Sequence, residues 1–130
     1  MKIHHIALWT KDLDQAAQFW ATHFNAVIGP RYVSANRIGF ESHFLTLQDG
    51  AQIELMTGPW LSNSDSTNLP PESVGWAHVA ITVGSEGRVR SIAADLDRKG
   101  LLVSHPRITG DGYYEAQVQT PDGILVEIVA

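Results

Sequence analysis

Two stretches of apolar and polar alternation stand about 70 residues apart, each followed by a pattern of helical period. Over residues 2–10 Ile6 and Leu8 fall on one face and His5, Ala7 and Trp9 on the other, as a half-buried strand requires. The period then changes. Leu13, Ala16, Ala17, Trp20 and Phe24 recur at helical spacing, which predicts a helix from about Asp12 to Phe24 with Thr10 or Asp12 as its cap. An extended segment Ala26–Val33, a strand Ile38–Leu47, an Asp49-Gly50 turn and a strand Gln52–Thr57 follow. Residues 58–75 are rich in Ser, Asn, Pro and Gly and read as a linker.

The same order then recurs. A strand Trp76–Val83 precedes a helix at about Glu86–Lys99, with Val89, Ile92, Ala93 and Leu96 inward and Gly100 as its C-cap. Strands at Leu102–Ile108 and Tyr113–Gln119, an Asp122-Gly123 turn and a last strand Leu125–Val129 complete the copy. The repeat is also one of residue identity. His5-Ile6-Ala7-Leu8 matches His78-Val79-Ala80-Ile81, and Asp49-Gly50 with Glu54 matches Asp122-Gly123 with Glu127. Each Glu lies 49 residues after its His (5 to 54, 78 to 127), so one offset of 73 carries both pairs. The expected architecture is α+β: a single domain over residues 1–130, made of βαβββ modules 1–57 and 76–130. Neither module buries its sheet alone at about 60 residues, so the two are expected to form a curved mixed sheet around a metal-binding cavity.

Composition narrows the chemistry. A net charge of −5 argues against nucleic acid or an anionic membrane as the main partner. There is no cysteine, so disulfides, thiolate metal sites and Cys nucleophiles are excluded and any metal must take imidazole and oxygen ligands. The N-terminus lacks the apolar run of a signal peptide, and no stretch approaches the ~18 apolar residues of a membrane span. A cytoplasmic protein is the expectation.

Strand parity selects the candidate site. His5 is out of phase with Ile6 and Leu8, Glu54 with Ile53 and Leu55, His78 with Val79 and Ile81, and Glu127 with Val126 and Ile128. All four polar residues are therefore expected on the sheet face away from the helices. An unpaired carboxylate between aliphatic neighbours, as at Glu127, is costly unless protonated, paired or bound to a cation. Two imidazoles and two carboxylates suit one divalent ion (Zn, Ni, Co, Mn or Fe), with positions left for water or substrate. His4 has the opposite parity and is read as a surface or helix-packing residue; His23, His43 and His105 have no counterpart in the repeat and are read as structural. Trp9 and Met56 share the ligands' parity, and the offset places Phe40 opposite Tyr113 and Phe44 opposite Gln117 as wall positions. Arg107 and Tyr114, near the glycine-rich stretch Thr109–Glu115, are candidates for binding an anionic or hydroxylated group.

At these residues the chain resembles the vicinal oxygen chelate superfamily, which includes glyoxalase I, extradiol dioxygenases, epimerases and bleomycin- and fosfomycin-resistance proteins. The resemblance spans essentially the whole chain. Its carriers are His5-Ile6-Ala7-Leu8 with Asp12-Leu13, Ile53-Glu54-Leu55, Trp76-Ala77-His78-Val79-Ala80, and Pro121-Asp122-Gly123 leading to Glu127-Ile128. It implies paired βαβββ modules around a metal, a site often completed at a dimer interface, and hence a homodimer acting on a small molecule. The His/Glu/His/Glu set is most similar to that of glyoxalase I. It implies a metal-dependent lyase or isomerase acting on vicinal oxygens through an enediolate, with Glu54 or Glu127 as the base. Trp9 stands where glyoxalase I-type enzymes carry an Arg that helps hold glutathione, which points to a more apolar or aromatic substrate. The alternatives are a small-molecule binding or resistance protein of the same fold and an extradiol-type dioxygenase.

Overall fold

In the computed structural model, residues 4–61, 78–110 and 112–130 are described. Most of the expected linker (62–75), Trp76 and Ala77 of the expected second strand, the first three residues and Asp111 lie outside them. Two compact units emerge, Met1–Ser64 and Asp65–Ala130, each with four strands and one helix.

The first unit runs β1 (Ile6–Trp9), α1 (Leu13–Phe24), β2 (Val27–Val33), β3 (Glu41–Thr46) and β4 (Gln52–Thr57). The second runs β5 (Val79–Thr82), α2 (Glu86–Arg98), β6 (Leu102–Ile108), β7 (Tyr114–Gln119) and β8 (Leu125–Val129). The sheet orders are β1-β4-β3-β2 and β5-β8-β7-β6. In each, the first strand crosses over through the helix to pair parallel with the last, and the other neighbours are antiparallel. The fold is α+β, with two four-stranded mixed sheets and two helices.

Local chemistry accounts for the boundaries. Asp12 caps α1, its Oδ1 accepting from the Gln15 amide at 2.9 Å, and Ser85 caps α2 in the same way through Arg88. At the far end of α1 Asn25 adopts φ 55°, a left-handed stop that Asn tolerates better than most residues. Lys99 ends α2 as its C-cap, and the left-handed residue after it is Gly100.

The two Asp-Gly turns are the same turn. In the first, Leu47 N donates to Ala51 O and Gly50 N to Leu47 O; in the second, Thr120 N donates to Ile124 O and Gly123 N to Thr120 O, all at 2.9 Å. Both glycines have φ between 80° and 86°, a region costly for a side-chain-bearing residue. A shared turn fixes a shared register, and this is what puts the two glutamates at equivalent positions.

The cores lie between helix and sheet. Ala16, Ala17, Trp20 and Phe24 of α1 pack toward Leu45, Ile53 and Leu55; Val89, Ile92, Ala93 and Leu96 of α2 pack toward Ala116, Val118, Val126 and Ile128. Two expected strand starts fall short. Residues 34–40 form a loop closed by Ser34 N to Phe40 O, with Gly39 at φ 83°, so β3 begins at Glu41 rather than Ile38. Tyr113 likewise lies in the turn before β7, beside Gly112 at φ 92°. Among the described residues no helix is long and apolar enough to cross a membrane.

Candidate metal centre

The helix-facing side of each sheet takes Ile53 and Leu55, or Val126 and Ile128, all buried. Their out-of-phase neighbours Glu54 and Glu127 therefore stand on the opposite face. In the parallel pairings Ala7 lies opposite Glu54 and Ala80 opposite Glu127, and each histidine precedes that alanine by two residues. Two residues along a strand return a side chain to the same face. Thus His5 Nε2 comes within 3.5 Å of Glu54 Oε2, and His78 Nε2 within 3.8 Å of Glu127 Oε2. The exposures match as well: about a third for each histidine side chain and 17% and 14% for the glutamates. The alanines keep the space beside each carboxylate clear.

Each His–Glu pair is spaced much as two donors on one divalent ion would be. Separations of 3.5 and 3.8 Å are long for a hydrogen bond. Two donors on one ion at ~2.0–2.2 Å stand roughly 3.0–3.5 Å apart for octahedral or tetrahedral angles, close to these spacings. As exposed ion pairs the same contacts are weak. His5 Nδ1 lies 2.9 Å from His4 Nδ1, which leaves Nε2 as the nitrogen aimed at the glutamate. Among the described residues no three His, Asp or Glu side chains gather closely enough to hold an ion by themselves; each unit brings together one His and one Glu.

The surroundings of the two pairs differ. Opposite Glu54 on β3 is Phe44, whose ring meets His5 edge-on at 5.2 Å; opposite Glu127 on β7 is Gln117. Further along the Glu54 face Trp9 pairs with Met56 in register, and Trp9 packs edge-on against Phe40 at 6.1 Å. Trp9, Phe40, Phe44 and Met56 thus share one side of the first sheet with His5 and Glu54. The remaining wall candidates do not gather at the second pair. Arg107 faces Glu115 across β6 and β7, forming a 3.6 Å ion pair, and also donates to Ser104. Tyr113 lies exposed in its turn. Tyr114 has the parity of Ala116 and points to the helix side, where its hydroxyl meets Arg90 at 3.3 Å. That hydrogen bond, followed by the one to Glu86, raises the Arg90 pKa further above its ordinary value. Tyr114, Arg90, Asp97 and His105 line a separate cleft of about 420 Å³ beside α2.

Two of the histidines outside the repeat, His43 and His23, have structural partners. His43 Nδ1 lies 2.8 Å from the Gly29 carbonyl, and the buried His23 ring packs on Phe19 at 5.1 Å. The same side of the first unit carries two residues that strand parity did not single out, Arg37 and Trp60. Both belong to connections, where alternation carries no signal.

Several known proteins resemble this chain. An uncharacterized protein of Bacillus subtilis strain 168, YqjT, is 27% identical over 136 residues, 98% of each chain. A solved structure of a possible glyoxalase from Bacillus cereus is 25% identical with a TM-score of 0.70, covering 100% of this chain and 99% of that one. A glyoxalase I variant from Zea mays superposes with a TM-score of 0.76 at 19% identity, this chain covering 44% of it, and shows the fold alone. Members of this superfamily commonly bind a divalent metal. The family model of the Glyoxalase/Bleomycin resistance protein/Dioxygenase superfamily matches residues 2–128, and the chain belongs to that superfamily.

Proposed function

We propose that this protein is a divalent-metal-dependent lyase or isomerase of glyoxalase I type, in which His5, Glu54, His78 and Glu127 together hold one ion. The observation that carries the reading is the duplicated geometry: identical parallel register at Ala7/Glu54 and Ala80/Glu127, with Nε2 to Oε2 separations of 3.5 and 3.8 Å. Surface ion pairs have no reason to be reproduced in register after duplication, whereas a shared ligand does. The substrate is a small molecule with two adjacent oxygens.

When bound, the ion would polarise those oxygens and stabilise the negative charge that develops as the neighbouring C–H proton leaves. The rest falls to the chain. Glu54 or Glu127 takes the proton and returns it to the adjacent carbon, a role suited to a carboxylate largely withdrawn from water. Phe44, Met56 and Trp9 cover the Glu54 side and limit water there. We take the active form to be a cytoplasmic homodimer, supported by the exposed apolar side chains Val27, Tyr32 and Val33 on edge strand β2.

The test is metal analysis of protein purified without added metal, repeated on Glu54→Gln and His78→Ala. Each variant is expected to lose most of its metal, and full stoichiometric metal in both sinks the assignment. Anaerobic turnover of 2-oxoaldehyde thiohemiacetals against catechols then separates isomerase from dioxygenase. The aromatic residues beside Glu54 favour one second reading, a binding protein for a small aromatic compound. It gains if neither substrate class turns over while an aromatic ligand binds.

A further inference from the structure

The loop between β2 and β3 carries an arginine whose charge is met by aromatic faces. The Arg37 guanidinium lies 4.0 Å from the centroid of the Trp60 ring, 5.6 Å from that of Phe40 and 5.7 Å from that of Trp9. Among the described residues no carboxylate is within ion-pairing distance of it. Arg31, on β2 ahead of the same loop, is engaged by both Asp14 and Glu41. Stacking occupies the faces of a guanidinium and leaves its in-plane N–H donors available. Those donors match a carboxylate in bidentate fashion.

The arrangement is held by close backbone approach. A Cβ on Gly58 would sit 2.3 Å from the Trp60 ring, so the indole lies back over the Gly58 backbone. A Cβ on Gly39 would meet the Pro59 ring at 2.7 Å, and Gly39 also has φ +83°. Glycine at both positions lets the β2–β3 loop close on the segment after β4. Phe40 N donating to Arg37 O and Arg37 N to Ser34 Oγ, both at 3.0 Å, fix the backbone that presents the arginine.

Among the described residues the second module has no such box. The 73-residue offset puts Gly110 in place of Arg37, Thr82 of Trp9 and Tyr113 of Phe40. Duplication kept the His/Glu pair and changed this corner. Trp9 sits on the His5 strand and face, four residues or about 13 Å further along.

We propose that Arg37, boxed by Trp9, Phe40 and Trp60, is a subsite for the carboxylate of an aromatic acid, and that it selects the substrate bound beside Glu54. The inference rests on the reading of the Glu54 face as the binding face. Its test does not depend on the metal. Phenylacetate and its uncharged amide, phenylacetamide, are titrated calorimetrically into the full-length protein, as purified and after chelator treatment. The acid is expected to bind at least about tenfold tighter than the amide in both preparations, because only the acid gains the charge-assisted pair. Arg37→Gln is expected to bring the ratio near one while leaving metal content unchanged, and Trp60→Leu to weaken acid and amide together. The proposal is overturned if wild type binds the two alike, if Arg37→Gln keeps the preference, or if Trp60→Leu changes neither affinity. It is also overturned if the preference vanishes on chelation, which would place the carboxylate on the ion. Loss of metal from Glu54→Gln is a separate readout, so the two readings fail independently.

Discussion

Replacing Glu54 by Gln removes one charge and almost no volume, and its thermal consequence differs sharply with and without metal. Without metal, the carboxylate faces a His5 side chain that is 34% exposed, at 3.5 Å. Such a pair is worth under about 1 kcal/mol. For 130 residues melting together, the unfolding entropy is about 0.27 kcal/mol/K, so the melting temperature falls by no more than ~4 °C. At a metal concentration 100 times its dissociation constant, linkage contributes about 2.7 kcal/mol to the wild type. Removing a direct ligand weakens binding by about 100-fold, at the top of the range for groups that merely support a ligand. The variant then sits near its own dissociation constant and keeps about 0.4 kcal/mol. The difference of about 2.3 kcal/mol corresponds to roughly 8 °C on top of the metal-free change. The assay is a pair of calorimetric melts, one with chelator and one with saturating Ni²⁺ or Zn²⁺. An equal wild-type-to-variant gap in both, or a metal-induced rise fully retained by Glu54→Gln, refutes the reasoning.

Ala80 lies exposed beside Glu127, so Ala80→Leu places bulk where the ion is proposed to sit without crowding the core. It is expected to weaken metal binding by at least about tenfold with little change in the chelator melt; unchanged affinity in a metal-competition titration counts against the site. His43→Leu strands the Gly29 carbonyl and is expected to cost about 1–3 kcal/mol in urea unfolding while leaving metal content intact. Metal loss from that variant would mean the ligand set is wrong. Trp20 is 1% exposed at the centre of the α1 core, and Trp20→Ala is expected to cost about 3–5 kcal/mol by the same measurement.

Much of this structure is legible along the chain because the forces involved are local. Alternation in His5-Ile6-Ala7-Leu8 and helical spacing from Leu13 to Phe24 report which side of an element is dry. Asp-Gly reports a turn that only one backbone geometry satisfies. Parity therefore puts His5 and Glu54 on one face, and the lack of a counterpart in the repeat marks His43 as structural. The misplacements are equally physical. Ile38 and Tyr113 continue an apolar pattern, but the left-handed glycines at 39 and 112 start each strand later. Nearness in sequence groups Tyr114 with Arg107, whereas its hydroxyl partner is Arg90, 24 residues away on α2. Arg37 and Trp60 lie in connections, and what brings them together is two glycines that admit close approach, a property of tertiary packing rather than of period.

The two modules show what duplication constrains and what it frees. The positions that repeat are those set by the parallel pairing of first and last strands: the histidine, the alanine two residues on and the glutamate opposite it. The positions that diverge lie at the end of β1 or β5, on β3 or β7 and in the loop before them, where Trp9, Phe44 and Arg37 correspond to Thr82, Gln117 and Gly110. Under the proposed four-residue metal site, one ion held by both pairs accounts for the first group staying fixed. A substrate with two unlike ends has no counterpart in the repeat, so the second group is free to differ. On this view the aromatic box around Arg37 is the symmetry-breaking part of the site. Specificity should therefore respond to substitutions in the first module's loop more strongly than to those at the equivalent positions of the second.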